Sequence, residues 1–163
     1  MEHEKEKNEE TFVKKVVQTA LEAERQIRRQ QVLHNTRMLM EEYIEMKRHI
    51  ESAVSEEEEL KEEQYDIFRG EGAHLGSVRR SKMKTAMMIA NIDRAMEELR
   101  AEYETKEMTY KYDAFKMHYI DGASYEEIAD IQNCGKNTPS RWSKELIRKM
   151  SVKLFGIDGV EKY

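Results

Sequence analysis

Proline and cysteine are almost missing from this chain. Its 163 residues include one of each, Pro139 and Cys134. A single cysteine excludes an intramolecular disulfide and fits a reducing cytosol. A single proline leaves long stretches in which nothing interrupts a helix. Glycine occurs only seven times and aromatic residues make up 8%, too few for the many tight turns of a β-rich or α/β core. No apolar run approaches the ~18 residues of a membrane span, and none resembles a signal peptide. The expectation is a soluble, cytoplasmic, all-α protein.

Charge is abundant. Charged residues make up 37% of the chain, for a net charge of −5, which taken alone argues against nucleic acid. The distribution argues the other way. From Glu51 to Asp66 eight acids face one lysine, a local −7, whereas from Lys136 to Lys153 six bases face one acid, a local +5.

Residues 1–10 are mostly charged and are expected to fray. From Thr11, Val13, Val16, Val17, Ala20, Ala23 or Glu24, and Ile27 fall at helical spacing. After the polar Arg28–Gln31 the stripe resumes as Val32, Thr36, Leu39, Tyr43, Met46 and Ile50. One helix from Thr11 to Ala53 fits, as do two that break near His34–Asn35. The apolar seam needs a partner, either another helix of this chain or a second copy. Next comes the acid run Glu56–Glu59, then Tyr65–Phe68 as a docking point, then Gly70, Gly72 and Gly76, which together suggest a flexible linker. With no preceding strand and no Lys-Ser/Thr pair, those glycines make no phosphate loop. Ser77 or Ser81 would cap the next helix, with Thr85, Met88, Ile92, Ala95, Met96, Leu99 and Tyr103 on its apolar face. Arg79, Arg80, Lys82 and Lys84 make its first turns basic, the unfavourable end for positive charge; a solvated linker end explains them better than phosphate contacts do. The division expected is 1–54 N-terminal helical region, 55–80 linker, 81–106 connecting helix and 107–163 C-terminal domain.

Tyr110–Ile120 carries Tyr112, Phe115 and Tyr119 on one helical face, with Met117 and Ile120 beside them. Gly122 is placed for a positive φ after it. Ser124 and Glu127 form an S-x-x-E capping box that opens a helix over Tyr125–Gln132. A turn at Asn133–Gly135 follows, and a second helix starts from Thr138 as N-cap with Pro139 behind it. Lys136, Arg141, Lys144, Arg148, Lys149 and Lys153 make this second helix basic. Two helices, a tight turn and a basic second helix form a helix-turn-helix, the motif whose second helix enters the DNA major groove. The core of this trihelical unit is expected from Tyr112, Phe115, Tyr119, Ile128, Ala129, Ile131, Leu146 and Met150. Trp142 shares a face with Leu146 and Met150 and is expected on the core side. Arg141 suits a bidentate contact to guanine, while Lys144 and Arg148 suit phosphates.

The segments YIDGASYEEIA, KNTPSRW and MSVKLFGIDG within Tyr112–Gly159 resemble the ArpU-like transcriptional regulators of phages and prophages of low-GC Gram-positive bacteria. Those are similar in turn to the fourth region of sigma-70 factors. TRMLMEEYIEMKRHI and RSKMKTAMMIANIDRAMEEL resemble the paired N-terminal helices of the same group, so the likeness spans Val32–Gly159. It implies sequence-specific DNA binding and control of late genes such as packaging and lysis functions. Carried over by position, Thr138 caps the recognition helix, Ser140, Arg141 and Lys144 face DNA, and Lys136 and Arg148 flank them on phosphates. Asn137 completes the expected DNA-binding set. Two positions depart from the sigma-like pattern: Gln132-Asn133 stands where Leu-Gly is usual, and Gly135 where a serine is usual. Asn tolerates the left-handed conformation, so the turn is expected to survive; the lost leucine bears on packing.

The partners expected are double-stranded DNA, RNA polymerase by the sigma likeness, and a second copy through the N-terminal helices. No enzyme activity, metal or cofactor is expected. The five histidines, His3, His34, His49, His74 and His118, are scattered without H-E-x-x-H spacing. Cys134 and the many methionines are explained by packing. Two alternatives stay open: a protein like a phage small terminase subunit, which joins a helix-turn-helix to oligomerising helices, and a helical interaction protein with no DNA role.

Overall fold

The computed structural model describes residues 2–52 and 72–156, and side chains from 11 to 52 and from 80 to 156. The described residues form helices and connecting turns with no strand, so the protein is all-α. In chain order the helices are α1 (Glu2–Glu41), α2 (residues 43–52), α3 (Gly72–Thr105), α4 (Thr109–Tyr119), α5 (Tyr125–Ile131) and α6 (Thr138–Phe155).

Several expectations about the N-terminal half change. The helix runs from Glu2 rather than fraying to residue 10; Glu and Lys are good helix formers and nothing there breaks one. It passes through His34–Asn35 without interruption and bends at Glu42 instead. Its hydrogen bonds carry across that bend, from Glu42 N–H to the Met38 carbonyl at 3.0 Å and from Met46 N–H to the Glu42 carbonyl at 2.9 Å. α3 begins at Gly72, ahead of both Ser77 and Ser81, so residues 72–80 of the expected linker are helix and Gly76 lies inside it. Arg79, Arg80, Lys82 and Lys84 therefore sit beyond the first turn, where the dipole penalty fades. The acid run Glu56–Glu59, the Tyr65–Phe68 patch and Gly70 lie outside the described residues.

One apolar cluster joins both halves of the chain. Met40 and Tyr43 come from the first two helices, Ile89, Ile92, Ala95, Met96, Leu99 and Tyr103 from α3, Tyr112, Phe115 and Tyr119 from α4, and Leu146, Ile147 and Met150 from α6. α1, α3, α4 and α5 all pack on α6. Each fully buried Ile, Leu or Phe of this set favours folding by about 1.5–3 kcal/mol. Of the expected trihelical core, Tyr112, Phe115, Tyr119, Ile128, Ala129, Leu146 and Met150 are buried. Ile131 is the exception, 67% exposed; α5 is so short that its stripe closes with Ile128 and Ala129, and Ile131 at its last position turns outward. Two buried hydroxyls are satisfied within their own helices: Thr36 donates to the Val32 carbonyl at 2.8 Å and Ser151 to the Arg148 carbonyl at 2.7 Å.

Polar ties cross the same interfaces. The Tyr43 hydroxyl donates to the Asp93 carboxylate, joining α2 to α3. The Tyr103 hydroxyl donates to Glu145 at 2.7 Å, joining α3 to α6. α3 ends in a Schellman turn, with Met108 N–H on the Tyr103 carbonyl at 2.9 Å and Glu107 at φ 57°.

Because Met40 belongs to the same core as Leu146, Met40→Ala should cost about 2–5 kcal/mol. Thermal melts followed by far-ultraviolet circular dichroism and by Trp142 fluorescence should both shift down, and together. A Trp142 transition left in place would mean that the N-terminal helices fold apart from the rest.

Candidate nucleic-acid interface

The α5–turn–α6 unit is built by local signals that the sequence carries. Ser124 and Glu127 close a full capping box: Glu127 N–H donates to Ser124 Oγ at 3.2 Å and Ser124 N–H to the Glu127 carboxylate at 2.8 Å. Gly122 takes φ 75° before it. At its other end α5 closes in a second Schellman turn. Asn133 adopts φ 50°, Cys134 N–H reaches the Ala129 carbonyl at 2.9 Å and Asn133 N–H the Asp130 carbonyl at 3.2 Å. Asn133 thus takes the left-handed conformation expected of it. Gln132 replaces the missing leucine by a hydrogen bond, its Nε2 donating to the Tyr110 carbonyl at 3.0 Å and fastening the end of α5 to the start of α4. At Gly135 an added Cβ would lie 3.3 Å from Thr138 Oγ1, a tight fit for any larger residue.

Thr138 does not cap α6. The N-cap is Asn137, in helical conformation (φ −88°, ψ −5°), and no side chain bonds the first orphan N–H groups. Thr138 is already the first helical residue, because Thr138 N–H reaches back to the Gly135 carbonyl at 2.8 Å and winds the chain before the expected start. Pro139 follows within the first turn, as expected, and is buried.

α6 divides sharply into two faces. Pro139, Ser143, Leu146, Ile147, Met150 and Ser151 are buried. Arg141, Lys144 and Arg148, spaced by three and four, are exposed on the opposite side. Lys136 and Asn137 are exposed in the turn, and Thr138 and Ser140 are half-buried at its margin. Trp142 is half-buried and packs edge-on to Tyr110 of α4 with ring centroids 5.1 Å apart, at the margin of the core and not within it. The basic block is less free than its sequence implies. Lys149 binds Glu102 at 2.5 Å and Lys153 binds Glu98 at 3.0 Å, both turned onto α3. Lys136 lies 3.5 Å from Glu126. Arg141, Lys144 and Arg148 are the exposed basic residues of α6 itself, and Lys136 in the turn is shared with an acid. α5 presents the opposite sign, with Glu126, Glu127 and Asp130 all exposed.

An element outside the expected site, α1, also packs on α6. Arg37 is exposed in the half of α1 that carries its buried residues, whereas Arg25, Arg28 and Arg29 belong to the half that stands clear of the other described elements.

Beneath the face, the acids of α3 and α6 hold the unit in place. Burial would raise the Glu145 carboxyl, but hydrogen bonds from Lys111 at 2.8 Å and Tyr103 outweigh it and hold the group below its ordinary value. Glu102 is likewise opposed by burial and lowered overall by Lys106 and Lys149. A groove lined by Arg100, Glu104, Thr109, Tyr112, Asp113 and Lys116 opens between α3 and α4. Among the described residues no three His, Cys, Asp or Glu side chains converge as metal ligands would, and no helix is long and apolar enough to cross a membrane. No family model, curated protein or solved structure matches this chain.

A carboxyl whose folded pKa is depressed contributes stability above its unfolded value, about 4.5 here, and loses it as pH falls through the folded value. Urea midpoints should therefore drop below pH 4.5, and Glu145→Gln should make that acid limb shallower. A midpoint that is flat from neutral pH to well below 4.5 would remove both ion-pair clusters from the account.

Proposed function

We propose that this protein is a sequence-specific DNA-binding transcriptional regulator that reads DNA with α6. The observation that carries this reading is the outward face of α6: Arg141, Lys144 and Arg148 point away from a helix whose other side is locked into the core. A helix held rigidly on one side and cationic on the other suits the major groove, where an arginine can pair with guanine and lysines with phosphates. The short α5 followed by α6 supports a helix-turn-helix reading, with a six-residue connection, Gln132–Asn137, longer than the usual three- to four-residue turn. Since α5 is acidic on its exposed side, the duplex would approach over α6 and the turn at Lys136–Asn137, not over α5. The likeness of Tyr112–Gly159 to ArpU-like regulators supports phage or prophage late genes as the target, and the sigma-like arrangement supports a contact with RNA polymerase.

Selection of bound duplexes from a random pool should return a defined site that binds better than random duplex at physiological salt. Equal affinity for both would end the specific-regulator reading. Changing Arg141 and Lys144 together to Ala should weaken binding to the selected site and reduce the slope of log affinity against log salt by about 1–2. An unchanged affinity and slope would take α6 out of the interface.

A further inference from the structure

Between Thr11 and Gln31 every residue of α1 is exposed except the half-buried Arg29. These 21 positions form about 30 Å of helix at 1.5 Å per residue, standing clear of the other described elements. An isolated helix draws little stability from its own hydrogen bonds and normally relies on packing. This one carries a bare apolar stripe: Phe12 68%, Val13 57%, Val16 51%, Val17 52%, Leu21 47% and Ile27 58% exposed. Val13, Val17 and Leu21 line a shallow groove along it. At 3.6 residues per turn Val13, Ala20 and Ile27 point roughly away from the side on which Val32, Thr36 and Tyr43 are buried. Val17 and Leu21 lie nearer the side on which Val32 is buried, so the bare stripe covers about half of the helix's circumference.

We infer that this stripe pairs with the same stripe of a second copy, the two helices running antiparallel. The charge pattern selects both the occupant and the direction. Residues 2–10 hold five glutamates and two lysines, whereas residues 25–37 hold four arginines and no acid. Parallel copies would set acid against acid and arginine against arginine. Antiparallel copies set the acidic end of each against the arginine run of the other, and oppose the helix dipoles as well. The arrangement is self-complementary about one point, as a two-fold interface must be. The midpoint between the two charge blocks falls between Gln18 and Thr19, and the stripe from Phe12 to Ile27 is centred within one residue of it. Ala20 and Ala23 lie near that centre, where small side chains let the helices approach. The six large side chains expose on the order of 500 Å² per copy, at the top of what a monomer ordinarily leaves bare. That is somewhat below the ~800 Å² each partner gives a standard interface, so the dimer is weak and concentration-dependent. The pairing does not rest on DNA binding; a dimer without DNA affinity would leave it standing.

Sedimentation velocity of the full chain should show a monomer moving to a dimer as concentration rises through the micromolar range. Val13→Lys with Ile27→Lys, both at exposed positions, should weaken dimerisation by about tenfold or more and leave the circular dichroism spectrum and melting temperature of the monomer in place. For direction, two single-cysteine chains are made in a Cys134→Ser background, one with Phe12→Cys and one with Gln26→Cys, positions that lie opposite each other in the antiparallel register. Mixed and oxidised, they should form the crossed disulfide in preference to either self-disulfide. A chain that stays monomeric throughout, as it would if residues 53–71 covered the stripe, overturns the inference. So do self-disulfides in preference to the crossed one, and so does the mass of a large ring, which would instead favour the terminase-like alternative.

Discussion

Every other long element leans on one face of α6. Leu146, Ile147 and Met150 lie in the cluster that also holds Met40 of α1, Leu99 of α3 and Phe115 of α4. α6 is thus at once the second helix of the α5–turn–α6 unit and the central strut of the fold. The same requirement sorts its charges. Lysines near the buried margin, Lys149 and Lys153, are neutralised by Glu102 and Glu98 of α3. Arg141, Lys144 and Arg148, on the far side, are exposed. The basic face of α6 is in this sense a by-product of how completely its other face is used, and its orientation is fixed by packing rather than by a loop.

Local signals were the most legible part of the chain. The capping box at Ser124, the positive φ of Gly122 and the left-handed Asn133 are short-range effects, set by residues within a few positions of one another. The stripes of α3 and α4 were legible too, because a helix that buries one face must repeat its apolar residues at helical spacing. Thr138 shows where such signals fail. Its residue type suits a cap, but the chain from Gly135 is already winding, and a helix starts where its first backbone bond closes. Ile131 shows a second failure: apolar type alone does not bury a residue at the end of a two-turn helix.

The relation between distant segments was not legible. Nothing in the apolar seam of α1 says that its second half meets α6 while its first half stands clear, because periodicity gives a face and not a partner. Periodicity likewise does not say that one apolar cluster draws from the N-terminal helices and from α6 alike. Nor does a count of lysines reveal which are paired, since Glu98 and Glu102 are about fifty residues from the lysines they bind. Of the candidate residues on α6, Arg141, Lys144 and Arg148 are exposed. Thr138 and Ser140 proved half-buried, since residues next to a helix's buried face cannot also stand fully in solvent.

The central claim is that the outward face of α6, and not the acidic surface of α5, meets DNA. Amide chemical-shift changes recorded while duplex DNA is added to the isotopically labelled chain test it most directly. The account predicts that the perturbations concentrate between Lys136 and Arg148 and spare Glu126, Glu127 and Asp130. Perturbations centred on α5 or on the exposed side of α3, or none at all, would contradict it.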